Sequence, residues 1–299
     1  MSRRIRKIAG ALGIALLAMI IVMVAIAIIQ GRRTPSGRPD YVALGSSFAA
    51  GAGLGSLQQG SPLLCARSVD GYPQQLARRR DLAIVDMSCG GAVTKNVIEG
   101  GQFFQGPQVR VITAQTRLVT LTVGGNDIGY VGDLSLLAAR KQNTLLGWLT
   151  KSFWKGPKPM DRRGFDILEQ RLSATLRLVH AQAPHATVVV ATYPTLLPPE
   201  GTCAKLGLTA REVDLMRPVG DRLAAVTRTV AQREGAVVVD MHTLGAAHDA
   251  CAPEPWANGW VDVVGAPFHP TLAGAQATAA AISDALDAAP RPRGSPRGL

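Results

Sequence analysis

Five short runs of apolar residues recur along this chain of 299 residues and constrain its fold more than any other feature. The runs are continuously apolar rather than alternating, which is typical of strands buried on both faces of a sheet. Helical patterns separate them, and this alternation predicts a parallel sheet with helices on both faces and right-handed crossovers. The predicted strands are Tyr41–Leu44, Leu82–Met87, Arg117–Val123, Ala186–Thr192 and Ala236–Asp240. The predicted helices are Tyr72–Arg80, Pro107–Ala114, Phe165–Ala183, Thr209–Glu234 and Thr271–Ala288.

The third predicted strand ends in Gly124-Gly125-Asn126-Asp127. Open α/β sheets bind their ligands at the carboxyl ends of the strands. The glycines allow a sharp turn and a close approach, and the Asn126 side chain is a neutral donor that can face a developing negative charge. Because the same tetrapeptide is also common in turns, the interpretation needs support from other parts of the chain.

Two further segments give that support. Ser47 lies in Gly45-Ser46-Ser47-Phe48, directly after the first predicted strand, where its hydroxyl can reach the crevice above the sheet. Gly91 follows the second strand in Cys89-Gly90-Gly91-Ala92 and can reach the same edge. The N–H groups of Ser47 and Gly91 are therefore candidate donors to an oxyanion, although either segment alone is more often a simple turn.

His269 is the candidate general base among five histidines. It stands in Pro267-Phe268-His269-Pro270, just before the last predicted helix, where it can be aimed back across the sheet. A lone histidine would favour a structural role, but its position relative to the other segments favours catalysis. Among the other histidines, His180 and His185 flank a helix end. His242 and His248 follow the fifth strand, where they can line the crevice.

The N-terminal segment Ile8–Ile29 contains 22 residues and no charge. It is long enough to cross the hydrocarbon core of a bilayer, about 30 Å, as a helix. Four basic residues within the first seven positions predict an N-terminus in the cytoplasm and everything after residue 30 outside. A cleaved signal peptide is the alternative, because Ala25-Ile26-Ala27 fits a cleavage site, but the length of the apolar run favours a retained anchor.

The formal net charge of +11 is concentrated at the two ends of the chain. Nine Lys and Arg residues lie within residues 1–33 and 291–299, which contain no acidic residue, so the rest of the chain carries only about +2. That balance does not indicate nucleic-acid binding.

Four cysteines are present: Cys65, Cys89, Cys203 and Cys251. An even count in an exported domain predicts two disulfides. Three pairings are possible, and the order along the chain favours Cys65–Cys89 and Cys203–Cys251; four buried free thiols are the alternative. No Cys-x-x-Cys occurs, so neither a zinc nor a redox site is expected.

Residues 133–163 interrupt the strand–helix rhythm with three aromatic residues among lysines: Trp148, Phe153 and Trp154 among Lys151, Lys155 and Lys158. This insertion can form a lid, an acyl-binding flap or a surface that rests on a membrane, or it can pack its aromatic side chains into a small core of its own. The predicted organisation is a cytoplasmic stub and transmembrane anchor or signal peptide over residues 1–30, a linker over 31–39, the main domain over 40–288 and a disordered basic tail over 289–299.

Together, these motifs resemble the SGNH hydrolases, also called the GDSL esterase/lipase family. The resemblance covers about residues 40–288 in order and spacing. Its main elements are Gly45-Ser46-Ser47, Gly91, Gly124-Gly125-Asn126-Asp127 and His269-Pro270. Further elements resemble the secreted actinobacterial esterases and lipases of that family: Tyr193-Pro194, Cys65 followed by Arg67-Ser68, and Trp256 three residues before Gly259.

The resemblance implies a three-layer α/β/α sandwich of the flavodoxin-like type, with a five-stranded parallel sheet. It implies a carboxylic ester hydrolase without cofactor or metal, and the N-terminal segment predicts that this domain lies outside the cytoplasm. Ser47 would be the nucleophile and His269 the base, with an oxyanion hole from the Ser47 amide, the Gly91 amide and the Asn126 side chain. The expected partners are an ester substrate, either a lipid or an acylated small molecule or glycan, and a membrane through the N-terminal helix.

The chain departs from the family pattern at two positions. Ser46 stands where the family usually has Asp before the nucleophile, and Ala266 stands where many members have an Asp three residues before the histidine. A triad carboxylate at Ala266 is therefore excluded. We predict that the Ala266 backbone carbonyl accepts the Nδ1–H of His269, which makes the site a Ser–His dyad. Asp262 is the second candidate to orient His269.

Ester hydrolysis is the favoured function on these grounds. Deacetylation of a cell-envelope glycan, or acyl transfer, would use the same groups on another substrate. A catalytically decayed, membrane-anchored binding protein is a third hypothesis, because a fold does not by itself determine a function.

Overall fold

A computed structural model describes the backbone of residues 3–33, 35, 37–260 and 266–288, and side chains from Leu12 onward. Its β-strands are β1 Tyr41–Gly45, β2 Ile84–Asp86, β3 Leu118–Thr122, β4 Thr187–Ala191 and β5 Val237–Val239. Its α-helices are α1 Arg3–Arg32, α2 Ser47–Ala50, α3 Tyr72–Arg80, α4 Thr94–Ile98, α5 Tyr130–Ala139, α6 Leu145–Phe153, α7 Phe165–Gln182, α8 Ala210–Arg233, α9 Met241–Leu244 and α10 Leu272–Ala288. Short 3₁₀ turns occur at Leu63–Cys65, Gln102–Phe104, Gln108–Val111, Met160–Arg162 and Ala204–Leu206.

The five strands form one parallel sheet in the order β2-β1-β3-β4-β5. This confirms the predicted parallel α/β architecture and is the flavodoxin-like strand order. The order of strands reverses between β1 and β3, which pair along five residues from Tyr41 opposite Leu118 to Gly45 opposite Thr122. Ligand sites of such sheets lie at this reversal, beyond the carboxyl ends of the strands.

Helices cover both faces of the sheet because alternate strand residues point in opposite directions. Leu44 of β1 shares one buried core with Leu172 and Leu176 of α7. Ala43, its neighbour in β1, belongs to the opposite core together with Leu76 of α3. A parallel sheet covered in this way is buried on both faces, as the continuous apolar runs predict.

The two long central helices agree closely with the patterns in the sequence. The apolar stripe of α7 is buried, and α8 begins with Thr209 as N-cap and a reciprocal hydrogen-bonded capping box with Glu212. The helix predicted over Pro107–Ala114 is wrong in length, because the structure has only a 3₁₀ turn at Gln108–Val111 before Ile112 becomes extended. Val109, Val111 and Ile112 are β-branched, which weakens helix formation in so short a segment.

The stretch 133–163 consists of two contrasting parts. Leu134 and Leu137 of α5 are buried in a core that lies beside the carboxyl edge of the sheet. Helix α6 instead exposes apolar side chains, with Leu145 73% and Phe153 74% accessible to solvent. Whether the exposed part closes over the site stays a prediction, as do the predicted domain bounds.

Helix α1 extends beyond the predicted apolar segment and ends at Arg32, inside the expected linker. Its segment Leu12–Arg32 has a mean hydropathy of 3.2 and is long and apolar enough to cross a membrane. By length and composition it fits either a signal sequence or an anchor. The predicted basic tail, 289–299, lies outside the described residues.

Candidate active site

Ser47 lies at the carboxyl end of β1, where the chain turns sharply into α2. Gly45 makes this turn with φ +135°, and a Cβ at Gly45 would collide with the carbonyl oxygen of Thr122 on β3. Glycine is therefore required for the two strands to approach at this point. The N–H of Ser46 donates to the same Thr122 oxygen at 2.9 Å, and Ser47 becomes the first residue of α2.

The structure brings Ser47 and His269 together across 222 residues of sequence. Ser47 Oγ lies 2.8 Å from His269 Nε2, and the Nδ1–H of His269 donates to the carbonyl oxygen of Pro267 at 2.8 Å. Because Nδ1 carries the proton, Nε2 is the free acceptor that a general base needs.

The prediction that the Ala266 carbonyl orients His269 is wrong by one residue. Phe268 adopts φ +58°, and the tight turn it makes directs the Pro267 carbonyl at the imidazole. The Ala266 carbonyl accepts the backbone N–H of His269 instead, at 3.2 Å. The second candidate, Asp262, lies outside the described residues.

Backbone contacts and packing hold the histidine loop in place. Phe268 is fully buried, and its N–H donates to the Gly259 carbonyl at 3.0 Å. The His269 ring stacks on Phe48 of α2, with the ring centres 5.6 Å apart. Burial lowers the pKa of His269 from its usual value near 6.5, an effect that the Pro267 hydrogen bond opposes. His269 is therefore neutral, and able to accept a proton, at neutral pH.

The loop after β2 carries Gly91 to the same edge of the sheet. Cys89 N–H donates to the Gly45 carbonyl at 3.0 Å, so the loop starts beside the turn that bears Ser47. Gly91 has φ +78° and is exposed, and neither its N–H nor that of Ser47 has an acceptor within the part of the chain that the structure describes. Both amides are available to a ligand.

Asn126 approaches this loop from the end of β3. Its Nδ2 donates one hydrogen bond to the Ala92 carbonyl at 2.9 Å, which leaves the second N–H of the amide group for a ligand. Asp127 binds the N–H of Thr94 at 3.1 Å and its hydroxyl at 2.5 Å. Burial raises the pKa of Asp127, while these hydrogen bonds lower it. Asn126 and Asp127 thus fix the Gly91 loop against β3.

Tyr193 links the two turns that carry Ser47 and Asn126, a role that the sequence motif did not reveal. Its Oη lies 2.7 Å from Ser46 Oγ and accepts the N–H of Gly125 at 3.3 Å. Burial raises the pKa of Tyr193 to about 12, so the hydroxyl stays protonated. Ser46, which replaces the usual Asp, is therefore held by a neutral hydrogen bond.

Gln108 is a second residue that the sequence analysis missed. Its buried amide group accepts the N–H of Gly45 at 2.8 Å and donates to the carbonyl of Gly45 at 3.0 Å. The contact spans 63 residues and comes from a short 3₁₀ turn, so no local pattern marks it. The two hydrogen bonds fix the peptide groups on both sides of Gly45, where the turn to Ser47 starts.

The two disulfides follow the pairing that the order along the chain favours, Cys65–Cys89 and Cys203–Cys251. The first lies beside the Gly91 loop, where Gly90 N–H donates to the Cys65 carbonyl at 2.9 Å. Arg67, buried beneath the same loop, donates to the Ser88 carbonyl at 2.5 Å. The loop that carries Gly91 is thus held covalently and by buried hydrogen bonds.

The histidines after β5 have other partners. His242 Nε2 lies 3.1 Å from an oxygen of Asp221, and His248 stacks on Trp256 with ring centres 4.4 Å apart. Across the described residues, no group of three or more His, Cys, Asp or Glu side chains is arranged to hold a metal ion.

Comparison with known proteins defines the class. Residues 43–277 match the model of the GDSL-like lipase/acylhydrolase family. The chain is 32% identical over 262 residues to Lipase 2 of Streptomyces coelicolor, covering 83% of this chain and 85% of that protein. The chain is a serine ester hydrolase. It belongs to the GDSL-like lipase/acylhydrolase family, which confirms the resemblance seen in the sequence.

Solved structures show the same fold. The extracellular lipase of Streptomyces rimosus has a TM-score of 0.66 and 27% identity, covering 82% of this chain and 98% of that one. Phospholipase A1 of Streptomyces albidoflavus has a TM-score of 0.66 and 28% identity, covering 83% and 98% of the two chains.

Proposed function

We propose that this protein hydrolyses carboxylic esters through a Ser47–His269 dyad. The 2.8 Å contact between Ser47 Oγ and His269 Nε2 is the observation that carries the proposal. Ser47 Oγ attacks the acyl carbon while Nε2 takes its proton, and the imidazolium then protonates the leaving alcohol. Water, deprotonated by the same nitrogen, cleaves the acyl-enzyme and restores the serine hydroxyl.

The negative charge of the tetrahedral intermediate would be bound by three donors. They are the Ser47 and Gly91 amides, which lack acceptors among the described residues, and the second N–H of Asn126. Removal of one such donor typically costs about 10²–10³ in kcat. The imidazolium is oriented by the Pro267 carbonyl, which stabilises positive charge less than a carboxylate would.

Lipid esters are the substrate class that we propose. The relatives of similar sequence and fold include lipases and a phospholipase A1, each covered over most of its length. A deacetylase acting on glycans would use the same dyad, so a panel of substrates separates the two possibilities.

We also propose that α1 is retained and anchors the domain outside the cytoplasm. The basic residues before the apolar segment favour this orientation, and two disulfides favour an oxidising compartment. The alternative cleavage pattern, Ala25-Ile26-Ala27, lies inside α1. Mass spectrometry of the N-terminal peptide from the membrane fraction tests this, since a mature chain that begins after residue 27 would contradict it.

Ser47→Ala tests the nucleophile, and Ser46→Ala is a matched control. Ser46 is the adjacent serine, but its hydroxyl contacts Tyr193 rather than His269. On short and long p-nitrophenyl esters we expect Ser47→Ala to lose about 10⁴-fold or more in kcat, whereas Ser46→Ala stays within about tenfold of the parent. A fluorophosphonate probe should label the parent and Ser46→Ala only. Retained turnover by Ser47→Ala would refute the assignment.

A further inference from the structure

The C-terminal end of α1 is attached to the catalytic domain between two 3₁₀ turns. The Gln30 side chain accepts the N–H of Leu63 at 3.1 Å, in the turn Leu63–Cys65. Gly31 lies so close to the Phe103 carbonyl, in the turn Gln102–Phe104, that a Cβ there would collide with it. The point where the helix leaves the domain is therefore defined.

These two turns expose apolar side chains around the helix end. Leu63 is 61% exposed, Leu64 53%, Phe103 36% and Phe104 50%. Phe103 and Phe104 also have φ +48° and +62°, a region that bulky residues rarely adopt because of steric strain. The chain thus holds two aromatic side chains outward at a conformational cost, which is typical of functional surfaces.

The position of α1 indicates what covers this surface. The apolar part of α1 ends at Ile29, so a bilayer that α1 crosses would have its surface near Gln30 and Gly31. The exposed turns contact the helix at these residues and therefore lie at the same depth. Leucine and phenylalanine are among the side chains that interfacial segments bury at the boundary between headgroups and acyl chains.

Charge at the same junction is consistent with a lipid surface. A cavity of about 440 Å³ beside the end of α1 is lined by Arg33, which is exposed, and by Arg110, whose guanidinium donates to the carbonyls of Gly106 and Pro107. An exposed cationic side chain at a bilayer surface attracts anionic lipid headgroups.

A groove leads from this surface toward the candidate oxyanion hole. It has a volume of about 670 Å³, and its lining includes Phe103, Gly90 and Gly91 together with polar side chains such as Lys95 and Gln102. When the Gly91 amide binds the carbonyl oxygen of an ester, the acyl chain of that ester can lie in the groove and reach the apolar turns.

We propose that the two turns rest in the outer leaflet of the membrane that α1 crosses, so that the groove takes its substrate, a lipid ester, directly from that leaflet. We call Leu63, Leu64, Phe103 and Phe104 the lipid-facing surface. The catalytic part of this inference rests on the proposed ester hydrolysis, whereas the contact with lipid rests on the proposed retention of α1.

The test uses the full chain reconstituted in vesicles of phosphatidylcholine and phosphatidylglycerol. The variant Leu63→Ser/Phe104→Ser removes one leucine and one phenylalanine from the lipid-facing surface, and neither residue lines the groove. The matched control, Leu145→Ser/Phe153→Ser, removes the same two residue types from α6, where they are at least as exposed.

We expect the first variant to hydrolyse a phospholipid of the same vesicle about tenfold more slowly, because two apolar side chains no longer partition into the leaflet. Its rate on water-soluble p-nitrophenyl butyrate should change less than about twofold, which also shows that it is folded. The control should keep both rates. An unchanged phospholipid rate in the first variant, or an equal loss in the control, would overturn the proposal.

A second measurement does not depend on activity. Phe104→Trp in the same vesicles should add fluorescence that brominated lipids quench, relative to the parent chain. Absence of quenching would overturn the lipid contact even if ester hydrolysis is demonstrated. If the added emission changes instead with the ratio of protein to lipid, the surface binds a second copy of the chain and the proposal is likewise wrong.

Discussion

The two halves of the candidate site are held by different kinds of interaction. The half formed by the turns after β1 and β3 is fixed by side chains: Gln108 holds Gly45, and Tyr193 bridges Ser46 and Gly125. The half formed by the histidine loop takes its orienting hydrogen bonds from main-chain groups, with the Pro267 carbonyl on His269 and the Gly259 carbonyl on Phe268.

This difference has a consequence for mutational sensitivity. Substitutions in the first half remove the interactions that position the donors, because those interactions belong to side chains. Substitutions near His269 leave the orienting carbonyl in place, since it belongs to the backbone. Activity should therefore depend strongly on side chains at one half of the site and weakly on carboxylates at the other.

The largest expected effect that tests this comparison comes from Asn126→Ala. The variant removes a donor to the oxyanion, so kcat should fall by about 10²–10³ with little change in KM. Steady-state kinetics on a p-nitrophenyl ester measures both quantities.

The matched control for this variant is Asn96→Ala in the neighbouring loop. Asn96 also makes two hydrogen bonds, from Val93 N–H at 3.0 Å and to the Gly100 carbonyl at 3.0 Å, but we assign it no donor to the oxyanion. Because Asn96 lines the groove, the comparison uses p-nitrophenyl acetate, whose acyl chain is too short to extend along it. If both variants lost kcat equally, Asn126 would act by holding the loop rather than by binding charge.

The sequence predicted where Ser47 and Asn126 lie because both residues follow directly from strand ends, while their catalytic roles stay predictions. Ser47 and Asn126 come after β1 and β3, and the strand order places the ends of β1 and β3 side by side. A parallel sheet with known strand positions therefore predicts which residues meet at its carboxyl edge.

Other parts could not be predicted for identifiable physical reasons. The hydrogen bond from Gln108 to Gly45 joins segments 63 residues apart, and nothing in the local pattern of Gln108 indicates it. The acceptor for His269 depends on the positive φ of Phe268, a conformation that phenylalanine rarely adopts and that a residue-by-residue analysis does not anticipate. A shift of one residue in a turn was enough to exchange Ala266 for Pro267.

An intermediate effect is expected from Tyr193→Phe, which tests the bridge between the two turns. It leaves the buried Gly125 N–H without its acceptor, which should cost about 1–3 kcal/mol in the free energy of unfolding. Because Ser46 also loses its partner, Ser47 is less well positioned, and kcat should fall about tenfold. Thermal unfolding and kinetics on the same preparation measure both.

Tyr72→Phe separates positioning from stability. Tyr72 is buried, and its hydroxyl lies 3.1 Å from Thr122 Oγ1, but it contacts neither Ser46 nor Gly125. This variant should lose stability without a matching loss of kcat. A proportional loss of kcat in both variants would mean that Tyr193 acts only through stability.

The smallest effect is expected from Asp262→Ala, which tests the histidine half directly. The Nδ1–H of His269 donates to the Pro267 carbonyl, which this substitution leaves unchanged, so kcat should stay within a few-fold of the parent.

The pH profile of the Asp262→Ala variant should stay the same as well. The base is active when neutral, so kcat/KM should fall as the pH drops through a His269 pKa below its usual value near 6.5. A carboxylate that oriented His269 would give a different result, namely a loss of about 10⁴ in kcat and an acid limb displaced to lower pH. Either change would show that the two halves of the site are held alike, by side chains.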